Sequence, residues 1–214
     1  MPTRKDIPID HEAWMRLAVA EAELARGATG DNPWVGCVLI SAEGELLGQG
    51  HTQGPGEDHA EIVAVRQAQA RGLAVEGTIM YSTLEPCSFH GRTPACSRVI
   101  VDHRIGLVVL GMHDPNPRVD GEGTRILRDA GLEVVEGVCE REVRRQLGGW
   151  VFEYHPHEPR RRALQLLRTR APLDVIAELT DLYAVDRSRA EAIVSSCEGE
   201  GEGEGGGQGP AAAR

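Results

Sequence analysis

Between residues 34 and 155, short apolar runs alternate with stretches of helical period, and that alternation leaves few architectures open. WVGCVLI (34–40) and GELLGQG (44–50), joined through SAEG, read as a hairpin. TIMYSTL (78–84), IGLVVLG (105–111) and LEVVEGV (132–138) read as later strands. A leading helix over 10–27 carries Trp14, Leu17, Ala18, Ala20, Ala22 and Leu24 at helical spacing, with Asp10 placed to cap its start and Gly27 its end. Further helices are predicted over 58–72, with Ile62, Val65 and Ala68 facing inward; from Pro94 to about Asp102; over 124–130; and over 139–155, interrupted at Gly148–Gly149. Strands alternating with helices predict an α/β layered domain on a mostly parallel sheet with one antiparallel edge.

After about residue 157 the pattern changes to two or three short helices broken at Pro172. From Cys197 the Gly/Glu-rich CEGEGEGEGGGQGPAAAR cannot bury apolar area and is expected to be disordered. The expected organisation is a domain over 1–155, a helical extension over 156–196 and a tail over 197–214. With 214 residues, the chain has room for one ordinary domain and a small appendage. It holds no apolar run long enough to span a bilayer, and MPTRKDIPID lacks the apolar stretch of a secretory signal. The five cysteines, an odd number, argue against a disulfide framework and for a reducing, cytoplasmic setting. A formal charge of −10 argues against a sequence-independent hold on nucleic acid.

The chemistry concentrates in HAEIVAVRQAQARGLAVEGTIMYSTLEPCSFHGRTPAC (59–96). Each residue alone has a plain reading: His59 as a surface imidazole, Glu61 as a helix charge, Cys87 and Cys96 as small buried hydrophobes. Together they supply more. A hydrolytic zinc site needs three protein ligands and an open position for water, and His59, Cys87 and Cys96 are donors of suitable softness. Glu61, near the first turn of the His59 helix, can collect and return a proton without being a ligand. In Thr93-Pro94-Ala95-Cys96, threonine suits an N-cap and proline the first helical position, which puts Cys96 where a helix dipole favours a thiolate.

His59-Ala60-Glu61 and Pro86-Cys87 fit the H-x-E and P-C pattern of zinc nucleobase deaminases, although eight residues separate the cysteines instead of two. The inserted SFHGRTPA, with DNPWVGCVLI, GEDHAEIVAV, STLEPC and DPNPRVDGEGTRILRDAGLEVVEGV, resembles the deaminase domain of the bifunctional riboflavin-biosynthesis deaminase/reductase, in the cytidine deaminase-like superfamily. The resemblance covers roughly residues 12–152. It implies a three-layer cytidine deaminase-like fold with a mixed five-stranded sheet, a zinc ion, and hydrolytic removal of an exocyclic amine from an aminopyrimidine on ribose phosphate. A homo-oligomer, dimer or tetramer, working on a small molecule is also expected, with no membrane or nucleic-acid partner. The chain departs from the family in length, since 214 residues are too few for the reductase domain that usually follows, so a deaminase domain standing alone is expected.

By the same resemblance Asn32 contacts the substrate ring, and Arg92 and Thr93 the ribose phosphate. Two positions depart from the family. Phe89 stands where a histidine usually follows the first cysteine, with His90 next to it. Thr52 stands where a histidine usually precedes the metal histidine, with His51 before it. On a strand a one-residue displacement turns a side chain to the opposite face, so His51 is not automatically equivalent. Other readings are a deaminase of a different amino-heterocycle, an RNA-editing deaminase, and a DNA-binding module, since residues 173–194 faintly resemble a helix-turn-helix.

Overall fold

The computed structural model describes residues 9–89 and 94–198 and falls into two compact units, Met1–Leu147 and Gly148–Arg214. In the first unit, Asp10 accepts the N–H of Ala13 at 3.0 Å and opens helix α1, His11–Glu23. The helix ends four residues before Gly27; short i→i+3 bonds from Leu24, Ala25 and Arg26 carry the chain through a turn to that glycine at φ +80°.

Five strands follow: β1 (Gly36–Ile40), β2 (Leu46–His51), β3 (Ile79–Leu84), β4 (Leu107–Met112) and β5 (Glu133–Val135). Their order is β2-β1-β3-β4-β5. β1 pairs antiparallel with both β2 and β3, whereas β3–β4 and β4–β5 are parallel. The sheet is therefore evenly mixed, not mostly parallel. The apolar runs identify strands but carry no information on their direction.

The two faces of β1 and β2 separate cleanly. Val38 and Ile40 join Met15, Ala18, Ile79, Tyr81 and Val109 in a core beneath α1. A Cβ on Gly36 would collide with the Ala18 carbonyl, so helix and strand meet backbone to backbone there. On the opposite face lies α2 (Ala60–Ala70), where Gly48 and Gly50 make room for Ala64 and Val63. The inward face of α2 is Ala60, Ala64, Val65 and Ala68, with Glu61. Ile62 is only half-buried, because the close approach at Gly48 admits alanines and pushes the larger side chain to the margin.

The remaining helices of this unit are α3 (Cys96–Asp102), α4 (Glu122–Asp129) and the start of α5 (Glu140–Tyr154). Gln146 of α5 donates to the Val19 carbonyl at 2.7 Å.

The second unit comprises the end of α5, α6 (His157–Leu167), α7 (Pro172–Tyr183) and α8 (Arg187–Glu198). α5 runs unbroken through Gly148–Gly149, contrary to the expected interruption. The Tyr183 carbonyl occupies the space a Cβ on Gly148 would need, so a glycine that weakens the helix is repaid by close packing. Pro172 opens α7, and Ala184 in the left-handed region ends it. The buried Tyr183 hydroxyl donates to the Glu158 carboxylate. Most of the low-complexity tail lies outside the described residues; Cys197 is buried at the end of α8. No described helix is long and apolar enough to cross a membrane.

Candidate metal centre

Three segments distant in sequence meet beyond the C-terminal end of β3. His59 is the N-cap of α2, extended at φ −77° and ψ 162°, and its ring makes no capping bond. Its Nδ1 lies 3.7 Å from Cys87 Sγ and 3.3 Å from Cys96 Sγ. Cys96 is the first residue of α3, and its N–H donates to Cys87 Sγ at 3.2 Å, while the Ser97 N–H donates to the Cys87 carbonyl at 3.2 Å. Cys87 thus satisfies the first donors of α3. The helix accordingly begins at Cys96 with Ala95 as its N-cap, not at Pro94.

The three donor atoms lie within 4.8 Å of one another, in a group that could hold a metal ion. Tetrahedral zinc with ordinary bond lengths would separate sulfur from nitrogen by about 3.6 Å and sulfur from sulfur by about 3.8 Å. The two sulfur–nitrogen separations lie close to those of tetrahedral zinc, and among the described residues the group has three donors.

The charges suit a metal as well. Hydrogen bonding from the Cys96 thiol, then from His59 and the Cys96 N–H, outweighs burial and brings the Cys87 thiol down to about 4. Bonding to the Cys87 sulfur, with burial, pushes the Cys96 thiol well up. His59 rises to about 8, chiefly through its bond to Cys87. A bound dication would hold both sulfurs as thiolates and the imidazole neutral.

Glu61 is 3 % exposed on the first turn of α2, two residues after His59. Burial raises its affinity for a proton above that of an ordinary carboxylate.

The other expected contacts divide. His51 points away from this group: it lies on the α1 face of β2, with Nδ1 2.8 Å from Glu21 Oε1. Thr52 is buried, and its hydroxyl accepts the Val35 N–H at 3.1 Å, which ties β2 to the approach of β1. Asn32 is half-buried in a turn held by Thr29 Oγ1 donating to its carbonyl at 2.7 Å; among the described residues its side-chain amide makes no hydrogen bond. Phe89 lies under the Arg118 guanidinium, 4.4 Å from ring centroid to carbon. His90, Arg92 and Thr93 lie outside the described residues. Cys37 is fully buried core, as its strand suggested.

Two buried carboxylates near the group were given no role from sequence, although both lie in quoted motifs. Glu85, two residues before Cys87, accepts the N–H groups of Asp114, Gly121 and Thr124 at 3.0–3.3 Å and contacts His113 Nδ1 at 3.2 Å. Burial pushes its carboxyl up, but these bonds prevail and hold it below the ordinary range. Asp114 is raised to about 7, mainly by burial, with Glu85, Cys87 and Asp120 adding their negative charge. A proline-spaced acid, as in Asp114-Pro115-Asn116-Pro117, was the available signal; its burial was not legible.

Residues 8–112 match the family model described as the cytidine and deoxycytidylate deaminase zinc-binding region. The chain is 44% identical over 145 residues to the riboflavin biosynthesis protein RibD of Aquifex aeolicus, covering 68% of this chain and 39% of that one. It is 38% identical over 159 residues to the chloroplastic riboflavin biosynthesis protein PYRD of Arabidopsis thaliana, covering 74% and 36%. The solved RibD of Acinetobacter baumannii superimposes with a TM-score of 0.61 at 38% identity, over 66% of this chain and 38% of that one. The diaminohydroxyphosphoribosylaminopyrimidine deaminase/5-amino-6-(5-phosphoribosylamino)uracil reductase of Thermotoga maritima gives 0.59 at 36%, over 64% and 38%. The chain spans about two fifths of the length of these relatives. Over residues 8–112, about half of its length, the chain carries the zinc-binding region of the cytidine deaminase-like deaminases.

Proposed function

We propose that the chain is a zinc-dependent hydrolytic deaminase, with His59, Cys87 and Cys96 as ligands and Glu61 as proton carrier. Its proposed substrate is a diaminohydroxyphosphoribosylaminopyrimidine, the compound named for the Thermotoga maritima relative. The observation that carries this reading is a buried carboxyl, Glu61, beside a sulfur–nitrogen group that has three donors among the described residues.

When bound, zinc supplies a Lewis acid that makes water a competent nucleophile near neutral pH. Glu61 accepts the proton that water loses as its oxygen bonds to the ring carbon bearing the amine. Glu61 passes that proton to the adjacent ring nitrogen, then moves the remaining hydroxyl proton to the amine nitrogen; the C–N bond breaks, ammonia leaves, and a ring carbonyl beside an N–H remains. Burial of Glu61 favours this cycle, since a carboxylate with raised proton affinity is a better base for water and is regenerated at each turnover. The side-chain amide of Asn32, with no protein partner among the described residues, is available to orient the ring.

An ammonia-release assay of the zinc-loaded protein tests the reading, with the pyrimidine ribotide, its dephosphorylated form, cytidine, guanine and adenine as substrates. Turnover of the ribotide above the others is the expected result. Exclusive turnover of a different heterocycle would replace the proposed substrate while keeping the chemistry. Self-association, also expected for this protein, is tested by light scattering on the purified chain.

A further inference from the structure

Resting on that reading of the reacting centre, we infer that Arg118 is a specificity-determining residue that binds the phosphate of the substrate from a platform made by Phe89. Phe89 is two residues past Cys87, at a position where the family resemblance expects a histidine. The guanidinium carbon of Arg118 sits 4.4 Å from its ring centroid. Two observations make this contact more than a surface pairing.

The first is the state of the charge. The chain has 33 acidic against 23 basic residues, and Arg16, Arg26, Arg125 and Arg128 of the same unit each have a carboxylate within ion-pair reach. Arg118 is exposed and has none among the described residues. Even the other stacked arginine, Arg26 over Trp34, is paired with Glu23. A ring face holds a guanidinium without neutralising it and leaves its N–H edge open to an oxyanion.

The second is rigidity. Asn116 donates its N–H to Asp114 Oδ1 at 2.8 Å, and the Arg118 N–H goes to Asn116 Oδ1 at 3.0 Å. The Val119 N–H reaches the Asn116 carbonyl at 2.8 Å. Glu85 accepts N–H groups from both ends of this loop, Asp114 and Gly121. Ser88, directly after Cys87, donates to the Arg118 carbonyl at 3.4 Å. The loop that carries the cation is therefore tied to the segment after Cys87, and the Phe89 ring holds the guanidinium on it, which is what a preorganised anion site requires. A phosphate monoester suits the planar fork, which can bind two of its oxygens at once.

The test compares kcat/KM for the pyrimidine ribotide and its dephosphorylated riboside in the wild type, Arg118→Ala, Arg118→Lys and Phe89→Leu. Arg118→Ala is expected to reduce the ribotide-to-riboside preference roughly ten- to a hundredfold, chiefly through KM for the ribotide. Arg118→Lys should recover part of that loss, because it keeps the charge and loses the fork. Phe89→Leu should fall between wild type and Arg118→Ala. Equal loss on both substrates, or no loss on either, overturns the inference. If the wild type turns over neither compound, the substrate reading fails and inorganic phosphate decides for Arg118. Phosphorus line broadening by the wild type that Arg118→Ala abolishes supports the site; equal broadening by both overturns it.

Discussion

His51 Nδ1 lies 2.8 Å from Glu21 Oε1, so the imidazole nearest in sequence to the His59 segment faces α1 while the metal group lies with α2 on the other side of the sheet. The β1–β2 register makes this unavoidable: His51 opposes Gly36, and Gly36 abuts Ala18 of α1. His51→Gln is accordingly expected to keep kcat/KM within about threefold of wild type, and to cost about 1 kcal/mol of stability for the lost charge-assisted bond. Paired kinetics and urea denaturation check both; a hundredfold loss of turnover in a folded variant would place His51 in the reaction.

Cys87→Ser and Cys96→Ser should each lose most of the zinc that the wild type carries at about one equivalent, because a hard hydroxyl replaces a thiolate in a three-ligand set. Elemental analysis after gel filtration reads this directly. Cys37→Ser should retain its zinc, since Cys37 is buried in β1 and stands outside the donor group.

Glu61→Gln should keep zinc and fold yet lose turnover by several orders of magnitude. Glutamine preserves the shape of the side chain but cannot take a proton from water. Near-normal ammonia release with full zinc would remove Glu61 from the mechanism.

Asp114 gives the zinc-free chain a pH signature. Burial pushes its carboxyl up to about 7 in the folded chain, well above the ordinary aspartate value of about 3.9. Below about pH 4 it is protonated in both states and the folded chain pays nothing. As pH rises from about 4 to 7 only the unfolded chain releases the proton, so stability falls across that window and levels off above it. At about 1.4 kcal/mol per pKa unit the loss amounts to several kcal/mol. Asp114→Asn should flatten this part of the stability curve and gain stability at pH 8; an unchanged slope would assign it to other groups.

The four residues of the proposed reacting group were legible in the sequence because their chemistry fixes their types. A hydrolytic metal site needs soft donors and a nearby base, and few other arrangements of His, Glu and two cysteines within 38 residues have a reason to exist. The strands were legible for a similar reason, since apolar runs of that length and composition must be buried in a sheet.

Contacts between remote segments were not legible. The sequence leaves open which way strands run, and the antiparallel β1–β3 pairing appears only when the sheet is assembled. It permits a helix break at Gly148–Gly149, because only the packing of Tyr183 shows why those glycines stay helical. Glu85 and Asp114 read as ordinary acids until the fold brings loop 113–121 onto the end of β3, some 30 residues away in sequence, and excludes water from both. Arg118 reads as a solvated arginine until the same loop sets it over Phe89. Bonding preferences of single side chains act locally and leave a trace in spacing. Burial, register and the field felt by a carboxyl depend on what the rest of the chain brings alongside, and only the tertiary structure decided those.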